Sequence, residues 1–171
     1  MDIAHWGIGA EYSGPLEISG SAEFPKDGLW DVHTGFSVNY VYANGVTVNC
    51  ADDSINRSGV TFVGAEGQVF VTRGQITASS KTILKSVIGV NDIRLPQSSD
   101  HMRNWLNAVR SRKDPIASVE IGHRSCTACI LGDIAMVTGQ KLKWDPVGER
   151  FLNSEQGNSL LSRPMRGSWT I

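Results

Sequence analysis

The feature that most constrains this chain is an alternating run that turns back on itself. Phe36, Val38, Tyr40 and Tyr42 alternate with Ser37, Asn39 and Val41, and Asn44-Gly45 follows. Period-two alternation marks a strand, and Asn-Gly supplies the left-handed residues that a tight hairpin needs. Val46-Thr47-Val48 returns as the partner strand. The pattern then repeats: Val60–Val63, a turn at Gly64-Ala65-Glu66-Gly67, Gln68–Thr72, a turn at Arg73-Gly74-Gln75, and Ile76–Ala78. Such short connections cannot hold a parallel crossover, so the middle third reads as an antiparallel meander. Upstream, Leu16, Ile18 and Phe24 suggest an extended stretch that ends in the turn Pro25-Lys26-Asp27-Gly28.

After residue 97 the period changes. Residues 98–112 begin with serines and an acidic first turn, place Met102, Trp105, Leu106 and Val109 on one face, and end in Arg110, Arg112 and Lys113. That is an amphipathic helix with charges matched to its dipole. Ser118 to Thr138 predicts a second helix, apolar nearly all round, of the kind usually sandwiched in a core, with Gly139 as its C-terminal stop. Leu142-Lys143-Trp144 is a short strand, Asp145-Pro146 a turn, and 154–161 a helical turn. Residues 2–9 read as a short helix with Ile3, Trp6 and Ala10 on one face, broken at Ser13-Gly14-Pro15. Strands followed by helices predict an α+β fold. The expected form is a single domain over 1–171, with an open, mainly antiparallel β-sheet and helices packed on one face. The other face, expected to be partly apolar, is left available for dimerisation.

Composition narrows the function. Sixteen basic against seventeen acidic residues leave a formal charge of −1, which argues against a nucleic-acid or anionic-lipid partner. No run approaches 18 consecutive apolar residues, so no membrane span is expected, and no secretion signal is visible near Met1. The compartment stays open. Three cysteines, Cys50, Cys126 and Cys129, form no disulfide framework. Cys126-Thr-Ala-Cys129 lacks the second ligand pair of a zinc site and reads as two buried thiols packing a helix. No metal site is expected.

Gly7-Ile-Gly9 imitates the start of a dinucleotide fingerprint. Tyr12 replaces its third small residue and no strand precedes it, so it is not read as a cofactor loop. His5, three residues after Asp2, reads as a surface carboxylate–imidazole pair, and His101 as solvent-facing. Four residues are candidates for substrate binding. His123 and Arg124 open the long helix, where a cation opposes the dipole and needs a partner. One reading is an ion pair with a carboxylate such as Glu120 or Asp133; the other is an anion or sugar hydroxyl in a cleft. Trp30 and His33 follow the Gly28 turn. A loop aromatic beside polar groups suits a sugar's C–H face and hydroxyls, and the alternative is that Trp30 caps the end of the sheet.

Nine segments in order resemble one family. They are Asp2–Gly7 (D-I-A-x-W-G), Ser13–Pro15, Gly28–Phe36 (G-L-W-D-V-H-T-G-F), Tyr40–Val46, Ser86–Asp92, Glu120–Ser125 (E-I-G-H-R-S), Leu131–Ala135, Lys141–Pro146 and Leu160–Arg166. Together they are similar to the C-terminal domain of bacterial Gfo/Idh/MocA oxidoreductases. The resemblance implies an α+β domain whose helical side meets an N-terminal Rossmann domain holding NAD(P), and whose free sheet face makes homodimers. It implies hydride transfer at a sugar-like carbon. The family's Rossmann half and its Glu-Lys-Pro segment have no match here. Its catalytic histidine matches a position before Met1, so His5 does not inherit that role. No catalytic residue and no cofactor are therefore expected in this chain; NAD(P) is implied for a longer parent. The expected function is the substrate-side and oligomerisation domain of such an enzyme, inactive alone. The alternative is a stand-alone dimeric binding or structural module derived from it.

Overall fold

The computed structural model describes residues 1–168. In chain order the elements are α1 (Asp2–Ile8), β1 (Glu17–Ala22), β2 (Phe36–Val41), β3 (Thr47–Ala51), β4 (Val60–Gly64), β5 (Gly67–Thr72), β6 (Gln75–Ala78), α2 (Lys81–Leu84), α3 (His101–Ser111), α4 (Val119–Thr138), β7 (Leu142–Asp145), β8 (Arg150–Phe151) and α5 (Glu155–Ser159). The fold is α+β with every strand pair antiparallel. The strands form two open sheets, ordered β3-β2-β1-β7-β8 and β4-β5-β6, where the sequence suggested one. The chain divides into two compact units: Met1–Arg57 together with the residues from Arg124 onward, and Ser58–His123.

The first unit holds the main core. Ile18, Val38, Tyr40, Leu142 and Trp144 point from one face of the five-stranded sheet and are buried with Leu131, Ile134, Ala135 and Met136 of α4. The hairpin forms where the Asn-Gly signal places it, but only Gly45 is left-handed, at φ 82°; Gly45 N–H donates to the Tyr42 carbonyl and Tyr42 N–H to the Val46 carbonyl. Gly20 lets α4 lie close to the sheet, since a Cβ there would stand 3.0 Å from Met136 Cγ and 3.1 Å from Val38 Cγ2. Gly132 does the same from the helix side, where a Cβ would collide with the Tyr40 hydroxyl.

The opposite face of this sheet, expected to be partly apolar, is mostly polar, with Val41 and Ala51 as its apolar members. Its cross-strand rows join Ser19 to Asn39 to Asn49, and Ser21 to Ser37. The Asn49 amide donates to Asn39 Oδ1 at 2.9 Å and to Ser37 Oγ at 3.1 Å. Alternation explains this, because the large apolar members of these strands, Ile18, Val38, Tyr40, Leu142 and Trp144, are on the α4 side.

The helix α4 is not sandwiched. Ala128, Leu131, Ala135 and Met136 are buried, while Ile130 and Val137 are exposed, as are Cys126 and Cys129, whose expected burial is thus corrected. A uniformly apolar sequence hides which side meets the sheet; the small side chains at 128, 132 and 135 decide it.

In the second unit, β4, β5 and β6 form the predicted meander. The helix α3 starts at an Asp100 cap, whose carboxylate accepts Arg103 N–H at 2.9 Å, rather than at a serine. Its orientation reverses the amphipathic expectation. Met102, Trp105, Leu106 and Val109 all face outward, exposed, whereas Asn104 and Ala108 are half-buried and Asn104 Oδ1 accepts Ile116 N–H at 3.0 Å. Phe70 is the one fully buried side chain of this unit among the described residues.

Candidate functional site

Polar groups gather at one end of the five-stranded sheet, where β2 and β7 finish and β1 begins. The helix α1 docks there through Ala4 and His5, with Ala10 just beyond it, while Ile3 stays outside; the buried stripe is therefore offset from the one that spacing suggested. Gly9 closes the helix in the left-handed conformation at φ 67°, where a side chain would be strained. Gly7 lies within α1 and Gly9 ends it, so neither opens a helix as a nucleotide loop does. Asn44 of the hairpin donates to the Ile8 carbonyl at 3.1 Å and ties the turn to α1.

His5 is 1% exposed, not a surface residue paired with Asp2. Its Nε2 lies 2.7 Å from the Tyr42 hydroxyl, and the two rings meet edge to face with centroids 5.6 Å apart. Burial lowers the His5 pKa and raises that of the Tyr42 phenol, so both groups are neutral near pH 7. The His5 Nδ1 is buried without a hydrogen-bond partner among the described residues. One tautomer leaves an unmet N–H there, the other an unmet lone pair. The pair anchors α1 to the residue that follows β2. No spacing rule links positions 5 and 42, so sequence reasoning missed the contact.

Arg124 projects from α4 to the turn between β7 and β8. Its Nη1 donates to the Pro146 carbonyl at 2.7 Å and lies 3.2 Å from Glu149 Oε1. The turn is shaped by Asp145, whose Oδ1 accepts the N–H groups of Val147 and Gly148, each at 3.0 Å; these bonds hold its carboxyl below the usual range. The ion-pair reading of Arg124 thus gains a carboxylate, Glu149, that the sequence did not nominate. His123 precedes Arg124 on the helix, is exposed, and falls in the second unit.

Trp30 and His33 lie elsewhere. Their loop leaves β1 after Ala22 and enters β2 at Phe36, at the sheet end opposite Arg124. The six residues of β1 put about 17 Å between those ends. Trp30 is 74% exposed, so it does not cap the sheet. The His33 ring packs on Phe36 at 5.0 Å, and its buried Nδ1 also has no hydrogen-bond partner among the described residues. The four nominated residues therefore do not converge: Arg124 serves one end of the sheet, Trp30 and His33 the other.

A separate open groove of about 560 Å³ runs along α4, between Cys129, Asp133 and Val137 on one side and Leu160 and Arg163 on the other. It contains none of the four. Among the described residues, no three His, Cys, Asp or Glu side chains stand close enough to hold a metal ion.

Comparison with known proteins adds two findings. Residues 6–171 match the family model of the Gfo/Idh/MocA type described as "Oxidoreductase family, C-terminal alpha/beta domain". A Thermotoga maritima protein assigned as a candidate oxidoreductase shares the fold, with a TM-score of 0.54 at 16% identity. The match covers 82% of this chain and 43% of that one, so the chain spans less than half the length of this structural relative. No curated protein matches significantly.

Proposed function

Because the chain belongs to the Gfo/Idh/MocA oxidoreductase family as a C-terminal alpha/beta domain, we propose that it is the substrate-side and oligomerisation half of an NAD(P)-dependent enzyme acting on a sugar-like compound. The observation that carries this reading is the span. The family model runs from residue 6 to 171, while the Thermotoga relative is more than twice as long as the part matched. Hydride transfer needs a bound nicotinamide, and gripping its pyrophosphate takes a strand, a glycine turn and a helix N-terminus in sequence. Gly7 and Gly9 do not make that arrangement. We therefore expect the 171-residue chain alone to transfer no hydride.

Within this reading, Arg124 is the proposed substrate wall of the first unit, with the His5–Tyr42 bond holding α1 in place at the same end of the sheet, and His123 is a separate candidate on the second unit. Trp30 and His33 form a second, separate aromatic spot suited to a sugar ring. The polar sheet face through Ser19, Asn39 and Asn49 is the surface assigned to pairing of subunits, by hydrogen bonds more than by apolar burial.

Isothermal titration of the chain with NAD⁺, NADH and their phosphorylated forms tests the central point. No heat of binding is expected, and micromolar affinity for any of them would overturn the assignment. Chemical-shift mapping with aldohexoses and cyclic polyols tests the wall: perturbed resonances should include Arg124 and vanish in Arg124→Ala.

A further inference from the structure

The sequence contains one Asn-Gly pair, Asn44-Gly45, and the structure exposes it between β2 and β3. An asparagine side chain is open to attack by the backbone nitrogen of the next residue. The bond from that nitrogen to Cγ forms, the bond from Cγ to the side-chain nitrogen breaks, and ammonia leaves with the proton of the attacking N–H. Water then opens the five-membered imide at either of its carbonyls. The net change turns an amide and a water into an acid and ammonia, and no oxidant or reductant is needed. Glycine favours the ring because it has no Cβ to crowd the approach. At Gly45 the surroundings are open as well, since nothing lies within 4 Å of where a Cβ would stand.

The fold restrains this chemistry through α1. Asn44 Nδ2 donates to the Ile8 carbonyl at 3.1 Å, Asn44 Oδ1 accepts Val46 N–H at 3.1 Å, and Gly45 N–H is committed to the Tyr42 carbonyl at 3.0 Å. The attacking nitrogen and both ends of the amide are thus engaged. The bond to Ile8 exists only while α1 is docked. That helix has seven residues, too few to persist without docking, and its polar anchor is the His5–Tyr42 bond. We propose that Asn44 is a self-modification site whose deamidation is gated by docking of α1 and in turn releases that helix. Ile8 is the last residue of α1, where carbonyls lack intrahelical partners and carry the negative end of the dipole. As an amide, residue 44 donates to that end; as a carboxylate it only accepts, and its charge opposes the helix. Asp-Gly suits the same hairpin, so the aspartate product alters the helix contact and spares the turn. The inference does not depend on the oxidoreductase reading.

Peptide mapping by mass spectrometry, on the full chain aged in mildly alkaline buffer with and without urea, is the test. Residue 44 should be the first asparagine to convert in urea, and should convert about tenfold or more slowly in the folded chain. Tyr42→Phe removes the His5 bond but keeps the residue 42 carbonyl, and should speed conversion of the folded chain about threefold or more. Gly132→Ala, which disturbs the core at Tyr40, should not. Circular dichroism checks that both variants are folded. Asn44→Asp should speed hydrogen exchange in α1 and leave β2 and β3 unchanged. Equal rates with and without urea would overturn the gating, as would a Tyr42→Phe rate no higher than that of the unaltered chain or matched by Gly132→Ala. Conversion of other asparagines ahead of residue 44 in urea would overturn the site. Unchanged α1 exchange in Asn44→Asp would overturn the release.

Discussion

At 1% exposure, with Nε2 2.7 Å from the Tyr42 hydroxyl, the His5 imidazole gains nothing from a proton. Its folded pKa lies below the ordinary 6.5 because burial disfavours the cation. The unfolded chain therefore binds the proton first on acidification. Stability is complete above pH 6.5 and declines as pH falls from there through the folded pKa, with a slope of at most about 1.4 kcal/mol per pH unit from this group. Urea unfolding between pH 5 and 8 should show that decline, and His5→Gln should remove it; an identical profile in both proteins would exclude His5 as its source. Tyr42→Phe strips the Nε2 partner and leaves a buried polar atom unmet, so it should cost about 1–3 kcal/mol at pH 7.5 in the same measurement. Position 5 read as a surface residue because its nearest charge in sequence is Asp2. Its real partner is 37 residues away, a contact that only folding makes.

The elements α4, β1 and β2 approach closely because glycine stands on both sides of their contact. A methyl group at Gly132 would have to displace the Tyr40 ring, whose hydroxyl already occupies that space. Gly132→Ala should therefore destabilise the chain by about 1–3 kcal/mol although it raises helix propensity. A thermal melt unchanged or raised would refute the close packing. Asp100→Ala should remove the α3 cap at a cost of about 1 kcal/mol. Circular dichroism should register that as lost helix, and no loss would mean that the cap is idle. The existence and limits of most elements were legible, since hairpin glycines, the alternation in β2 and the stop at Gly139 are local signals. The direction each helix faces was not. The amphipathic stripe of α3 predicts burial of Trp105, but the half-buried Asn104–Ala108 side faces inward instead.

Across the whole molecule the buried residues are unevenly shared. Among the described residues, fourteen of the fifteen buried apolar side chains belong to the first unit, and Phe70 to the second. Local opening is easiest where little apolar surface is hidden. At low micromolar concentration, hydrogen exchange should therefore be much faster in β4, β5 and β6 than in β1 and β2. Equal protection would mean that the second unit has a hidden core after all. The same asymmetry bears on the candidate site. Arg124 is half-buried and fixed by Pro146 and Glu149 within the well-packed unit, whereas His123, one residue earlier on the same helix, is exposed.

The sequence by itself determined the antiparallel pairing, the strands-then-helices order and the family, because turn chemistry, periodicity and ordered motifs are properties of neighbouring residues. It also supplied Trp30, His33, His123 and Arg124 as chemically suitable groups. Only the tertiary structure decided that the strands split into two sheets, that the outer sheet face is polar, that His5 is buried against Tyr42, and that Trp30 and Arg124 stand at opposite sheet ends. Those outcomes depend on which surfaces meet across long stretches of chain. Meeting is governed by shape and burial summed over many side chains, a quantity that no local pattern encodes.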